Sequence, residues 1–239
     1  MYDRLNHLNS ILQEKLDIKK LYNEQAKLLI RKLSYETLKK YNYNFTILKN
    51  GEKVIDNDSF LNYIDEITTF LYENVFLKKE FTIDAILKLH YKIIKPLKLE
   101  KIYLDEIWTF RKNWMVFTWN KWWNIPRRRK LTKPKYIMQN MEELVKNVNE
   151  NNNIDSIIDF FIDSLLIIHP FDNWNGRTFH LLLDILLFKN KYFPLFAKKI
   201  APYKLYEAYE KYNQTLNKTI FKKNFISIIE YIYSHYNIN

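Results

Sequence analysis

His169, Asp172, Asn173, Asn175 and Arg177 fall within one short run, HPFDNWNGRT, at 169–178. Histidine is the side chain best suited to take and return a proton near neutral pH. The oxygens of Asp172 and Asn173 are hard donors of the kind Mg²⁺ accepts. Arg177 carries a forked cation matched to phosphate oxygens. Gly176 is one of only two glycines in 239 residues, and it stands where a helix is expected to begin. The first N–H groups of a helix have no partner within it, and the helix dipole adds positive charge, so anions bind there. A glycine at that point lets a phosphate approach the backbone closely. A base, a phosphate cradle and hard oxygens together point to phosphoryl or nucleotidyl transfer.

These groups need rigid elements on both sides. Upstream, Ile154, Ile157, Ile158, Phe161, Leu165 and Ile168 recur at helical intervals, with Asn153 placed as an N-cap and Pro170 as a stop. Downstream, a second helical run extends from about Arg177 to Phe188. The motif is therefore expected on a loop between two helices. Further helices are expected over 4–33, 59–75, 82–95, 134–149, 203–214 and 222–236. Few glycines and prolines and the 3.6-residue apolar spacing make the chain all-α. One stretch departs from that pattern: NWMVFTWNKWWNIP, 113–126, reads as a β-hairpin that must lean on the helices or take a partner strand. Residues 43–58, with Asn50-Gly51 and Asp56-Asn57-Asp58, read as a loop. No internal repeat or low-complexity linker is present.

The motif resembles the Fic-domain signature HxFx(D/E)GNGRxxR, whose members typically transfer AMP from ATP to a protein hydroxyl. Three other stretches resemble the family in the same order. FTIDAILKLHYKII resembles its helix with a Leu–His pattern, at Leu87 to Lys92. IWTFRKNWMVF resembles its Gly-x-Phe-Arg entry into a flap hairpin, with Trp108 at the glycine position and Arg111 retained. PKYIMQNMEELVKNVN resembles the helix after the flap. The resemblance covers about 60–212. It implies a Fic-type helical bundle with a small hairpin flap, divided as an N-terminal helical segment (1–58), a core (59–214) and a C-terminal helix (215–239). By the same resemblance His169 is the base that deprotonates a target Ser, Thr or Tyr. Phe171 is the buried anchor of the loop. Asn175 and the Gly176 backbone hold the α-phosphate, and Arg177 grips the β- or γ-phosphate. Asp172 and Asn173 are the metal-binding candidates, ATP and Mg²⁺ the implied cofactors, and Arg111 the cation of a buried ion pair supporting the flap. Met115, Val116, Phe117, Thr118 and Trp119, in the stretch running to Trp123, are the residues expected along a target protein added as a strand.

Three positions differ from the signature. Asn173 replaces the metal-binding acid and so lacks its charge. Trp174 replaces a glycine, which is strained if the site needs positive φ; its ring either stacks on a nucleobase or fills the pocket. His180 replaces the second arginine. Many family members also carry an inhibitory (S/T)xxxE(G/N) helix. The matching stretch here runs from Thr37 to Asn42 and has Tyr41 in place of the glutamate, which makes Tyr41 the regulatory candidate. Ser10 to Glu14 also fits part of that pattern but lies far upstream. An inhibitory glutamate would have no arginine to meet at His180.

Composition narrows the rest. No stretch reaches the roughly 18 apolar residues of a spanning helix, and the N-terminus lacks a signal-peptide pattern, so a cytoplasmic chain is expected, with export into a host left open. Zero cysteines exclude disulfides and thiolate metal sites. The net charge of +11 is mostly dispersed, with one cluster at Arg127 to Lys130. A nucleotide and a protein substrate are the expected partners, nucleic acid is not, and a homo-oligomer is compatible with the sequence. A second reading, motivated by the three departures, is a non-catalytic or remodelled Fic-fold protein that binds a partner or uses another nucleotide or phosphate donor. A third, nucleic-acid binding, rests on charge alone.

Overall fold

A computed structural model describes residues 2–15, 22, 25–39, 45–49, 52–97, 109–112, 131–195 and 201–235. Its described residues form nine α-helices and one two-stranded antiparallel sheet, so the expected all-α class holds. The helices are α1 (Asp3–Lys15), α2 (Ala26–Leu38), α3 (Asn57–Leu71), α4 (Ile83–Ile94), α5 (Pro134–Asn151), α6 (Ile154–Ile162), α7 (Asn175–Lys189), α8 (Ala201–Thr215) and α9 (Lys218–Ser234). Two of them continue into a single π-helical turn: α3 into Tyr72–Phe76 and α6 into Asp163–Ile168. The expected flap at 113–126, with Met115, Val116, Phe117, Thr118 and Trp119, lies outside the described residues, as do Tyr41 and the basic cluster 127–130.

α7 is the centre of the bundle. Eleven of its fifteen residues are buried, which is the pattern of a helix covered all round. It packs against α2, α4, α6 and the π-turn after α3, while α5 covers α6, α8 packs on α9, and α9 joins α1 to α6. Buried Leu181, Leu182, Leu183, Ile185, Leu186 and Leu187 hold α7 in place. Its first residues, which carry the motif, therefore start from a fixed axis.

Caps explain several helix starts. Asn153 and Ser156 form a capping box on α6, with the Ser156 amide donating to Asn153 Oδ1 at 2.9 Å. The side chains of Asp56, Thr82 and Asn217 accept the amides of Ser59, Ala85 and Ile220 and so cap α3, α4 and α9.

Two expectations about the N-terminal part are corrected. The run 4–33 is not one helix, because Gln25 leaves the helical region at φ −118°, ψ 4° and α2 begins after it. The two halves bury different faces: Leu5 and Leu12 lie on α1, which packs on α9, whereas Ile30, Leu33 and Leu38 lie on α2, which packs on α3 and α7. The expected loop at 43–58 contains strands β1 (Thr46–Lys49) and β2 (Glu52–Ile55), paired from Thr46↔Ile55 to Lys49↔Glu52. Only Asn50-Gly51 separates them in sequence, a dipeptide that favours two-residue hairpin turns. Just before β1, Phe45 packs edge-on against Phe60 at 5.4 Å and meets Tyr63 at 5.1 Å, which ties the start of the hairpin to α3.

Candidate active site

The site begins with how α6 ends. In its final π-turn the His169 amide donates to the Ser164 carbonyl at 3.0 Å, one residue further back than an α-helix would reach. The Leu165 carbonyl then accepts from His169 Nδ1 at 3.0 Å. A carbonyl can only accept, so Nδ1 carries the proton and Nε2 is the basic nitrogen of the neutral ring. His169 itself is left-handed, at φ 50° and ψ 62°, which turns the chain out of the helix.

Arg111 takes the remaining carbonyls. Its guanidinium donates to His169 O at 2.8 Å, Ile168 O at 3.0 Å and Thr132 O at 2.6 Å. Its backbone amide donates to Pro170 O at 2.8 Å, and the Thr132 amide reaches Ile167 O at 3.0 Å. The carbonyls at the end of a helix lack partners within it, and here a buried side chain and its neighbours supply them. Among the described residues these contacts form a clamp of cation to carbonyl, and the flap that the expected ion pair was to support lies outside them. Burial lowers the Arg111 pKa, and the nearby Asp172 carboxylate acts against that shift.

Phe171 is buried beneath the loop. It is 2% exposed and lies flat on the His90 ring, 3.7 Å away and 3° from parallel, with Phe110 and Phe179 around it. Asn175 closes the turn from the other side. Its Oδ1 accepts from the Phe171 amide at 3.0 Å and its Nδ2 donates to the Phe171 carbonyl at 2.6 Å. Both ends of this 1% exposed amide thus hold the loop itself. Asp172 is half-buried and Asn173 exposed at the loop tip.

Trp174 sits immediately before α7 at φ 66°, ψ 10°. The conformation that the glycine of the signature would adopt freely is therefore required here, at a cost to a non-glycine residue of about 1–2 kcal/mol. A relay of hydrogen bonds holds it. The Thr178 hydroxyl and amide each donate to Trp174 O at 3.2 Å. Because that hydroxyl spends its proton on the carbonyl, it accepts from His90 Nδ1 at 3.1 Å. Desolvation pushes His90 down to about 3, so it is neutral and fits this donor role. Gly176, by contrast, lies inside α7, and among the described residues a Cβ built on it meets no atom within 4 Å apart from its chain neighbours and its own helix backbone.

The Arg177 guanidinium lies over the Trp174 ring, 3.2 Å from the ring centroid. Tyr63 of α3 lies within its field and donates to the Ile93 carbonyl at 2.9 Å. Burial raises the Tyr63 hydroxyl pKa, and the field of Arg177 offsets part of that. His180 does not act as a cation. Desolvation lowers it to about 3, it meets the Tyr209 hydroxyl at 3.3 Å, and its ring packs on Phe161 at 5.0 Å.

The structure thus places His169, Phe171 and Trp174 on the turn between α6 and α7, puts Asn175, Gly176 and Arg177 in the first turn of α7, and turns His180 toward α8. Sequence reasoning did not anticipate the His90–Thr178 relay. Its only signal was a histidine on the apolar face of α4.

No family model matches this chain, and no curated protein matches it. Among solved structures, Fic-1 from C. elegans is similar over 94% of this chain and 71% of its own, at a TM-score of 0.49 and 18% identity.

Proposed function

We propose that the chain is a Fic-type transferase that moves AMP from ATP onto a Ser, Thr or Tyr hydroxyl of a target protein. The observation that carries this reading is the tautomer of His169. With Nδ1–H held by Leu165 O, Nε2 is the ring nitrogen able to take a hydroxyl proton, and Phe171, Asn175, Gly176 and Arg177 stand at the positions the Fic signature gives them, with Asn173 and Trp174 departing from it.

A phosphate fits the residues present. Gly176 is the second residue of α7, where backbone N–H groups and the helix dipole favour an anion, and among the described residues nothing beyond its own helix crowds the place of a Cβ. In the proposed reaction Nε2 accepts the proton as the hydroxyl oxygen attacks the α-phosphorus. The P–O bond to pyrophosphate breaks, and the backbone amides stabilise the charge that develops on the phosphoryl oxygens. The imidazolium then returns its proton to solvent. Asn175 acts by holding the turn that presents those amides. ATP supplies the nucleotidyl group.

Mg²⁺ fits the loop poorly. The described residues contain no cluster of three His, Cys, Asp or Glu able to hold a metal. Asn173 is a neutral amide, and Asp172 lies in the field of Arg111. We assign no step to a protein-held metal.

Incubation with α-labelled ATP and cell lysate, with and without Mg²⁺, should label the protein or a target, and His169→Ala should remove the label. Absence of His169-dependent labelling with every nucleotide donor tried would overturn the reading. A second reading, partner binding without catalysis, is favoured by the stack of Arg177 on Trp174, which occupies the cation expected to grip phosphates. It predicts a partner complex that survives His169→Ala and no thermal shift with nucleotide.

A further inference from the structure

We propose that His90 is a positioning residue for the base, holding His169 in register with the first turn of α7. The inference rests on the reading of His169 as the base. It goes beyond that reading in assigning the alignment to a side chain of α4, far outside the motif.

One ring of His90 touches both sides of the motif. Its face lies flat on Phe171, two residues after His169, at 3.7 Å and 3° from parallel. Its edge donates from Nδ1 to the Thr178 hydroxyl at 3.1 Å, one turn into α7. That hydroxyl in turn donates to the carbonyl of Trp174, the residue before α7, at 3.2 Å. Asn175, at the start of α7, ties Phe171 to the same helix by a second route, through its amide and its carbonyl. His90, Phe171, Asn175 and Thr178 are all buried. Because α4 packs directly on α7, the ring works from a fixed mount.

The residue type matters for this double contact. A phenylalanine at 90 would keep the flat contact with Phe171 and offer no donor, and an asparagine would offer a donor and no ring. Histidine supplies both. Desolvation holds it neutral, so the contact brings no charge into the core. Leu165 O sets the His169 ring and Arg111 sets the end of α6. The chain Phe171–His90–Thr178 adds a link from that end to α7. In the proposed reaction Nε2 must reach the attacking hydroxyl while the phosphate lies at the α7 amides, and small errors in such spacing slow a proton transfer severely.

The test uses the full chain. His90→Phe keeps the flat ring, Thr178→Val keeps the shape without the hydroxyl, and Thr178→Ser keeps the hydroxyl. Labelling from ATP is measured as kcat and KM per folded molecule, with hydrogen exchange followed at the amides of 171–178. His90→Phe and Thr178→Val should each lower kcat about tenfold and leave KM for ATP within about twofold. The double variant should be no slower than either single, because both changes cut one link. Thr178→Ser should recover most of the loss, and exchange at 171–178 should quicken and recover in the same order. A merely structural role would lower stability and leave kcat per folded molecule unchanged. Unchanged kcat in His90→Phe, losses that add in the double variant, or equal kcat in Thr178→Ser and Thr178→Val would overturn the proposal and leave the transferase reading standing. If His90→Phe does not fold, Thr178→Val against Thr178→Ser decides by the same criteria. If the wild type labels nothing, the transferase reading falls and hydrogen exchange decides whether His90 holds the loop. Quickening in Thr178→Val that Thr178→Ser reverses would uphold the link, and exchange at the wild-type rate would sink it.

Discussion

The outer face of α6 and its C-terminal end handle positive charge in opposite ways. On the outer face Asp155, Asp159 and Asp163 recur every four residues and meet Lys218 and Lys222, which are also four apart on α9. Lys222 lies 2.6 Å from Asp155 and 2.9 Å from Asp159, and Lys218 lies 2.7 Å from Asp163 and 3.4 Å from Asp159. The Tyr2 hydroxyl donates to Asp155. At the other end of the helix Arg111 is held by carbonyl oxygens and Arg177 by an indole face. A cation matched to carboxylates has its charge cancelled and offers little to a phosphate. Neutral dipoles and a π face fix a cation's position by their direction and shape. The α6–α9 ladder joins two helices, whereas at the loop end carbonyls and an indole ring set where the two guanidiniums lie.

One substitution made in both places should break or sharpen that contrast. Arg111→Met removes the donor to three carbonyls and leaves them buried in part, for an expected loss of about 3 kcal/mol. Arg111→Lys should recover only a fraction, because an ammonium does not reproduce the fork. Denaturant unfolding measures both. A loss for Arg111→Met no larger than that of an exposed ion pair would mean that the carbonyl clamp is incidental.

Lys222→Met is the matched change in the ladder. Its side chain is 17% exposed, but its partners Asp155 and Asp159 are 49% and 24% exposed, so solvent screens much of the pairing. Methionine also keeps most of the apolar stem. The expected loss is about 1 kcal/mol or less. A larger effect than that of Arg111→Met would reverse the assignment of the two regions.

How far the sequence carried can be judged residue by residue. The α6 helix was legible because its apolar spacing and the Asn153 cap are local signals, and the motif loop was legible because its residues are contiguous. The need for positive φ at Trp174 could be posed from the sequence as a conditional, and the backbone answers it at 66°. What could not be read depends on residues far apart in the chain. Arg111 meets His169 across 58 positions, and His90 meets Thr178 across 88. Neither spacing leaves a periodic trace. The Trp174–Arg177 stack is local, at three residues, yet a strained backbone places that ring, and propensity gives no hint of it. The hairpin at 46–55 was legible in principle from Asn50-Gly51 between two apolar-polar alternations.

Acid should act on the two regions with opposite signs, and this is the smallest of the expected effects. His90 and His180 are both lowered by desolvation from 6.5 to about 3. A depressed base is neutral in the fold while the unfolded chain binds a proton, so its contribution is present above 6.5 and is lost as pH falls toward about 3. In the ladder, burial raises Asp163 above 3.8 despite its bond from Lys218. That contribution is present below 3.8 and is lost as pH rises through the raised value. Burial also pushes Asp155 upward, but hydrogen bonds from Lys222 and Tyr2 outweigh it and hold the group below 3.8, so its contribution persists until pH falls further. Acidification from neutrality toward about pH 5, a range in which unperturbed histidines titrate, should therefore loosen the loop end first. Hydrogen exchange should quicken at the amides of 171–178 before those of 155–163. If protection falls equally in both segments, local charge does not distinguish the two ends of α6.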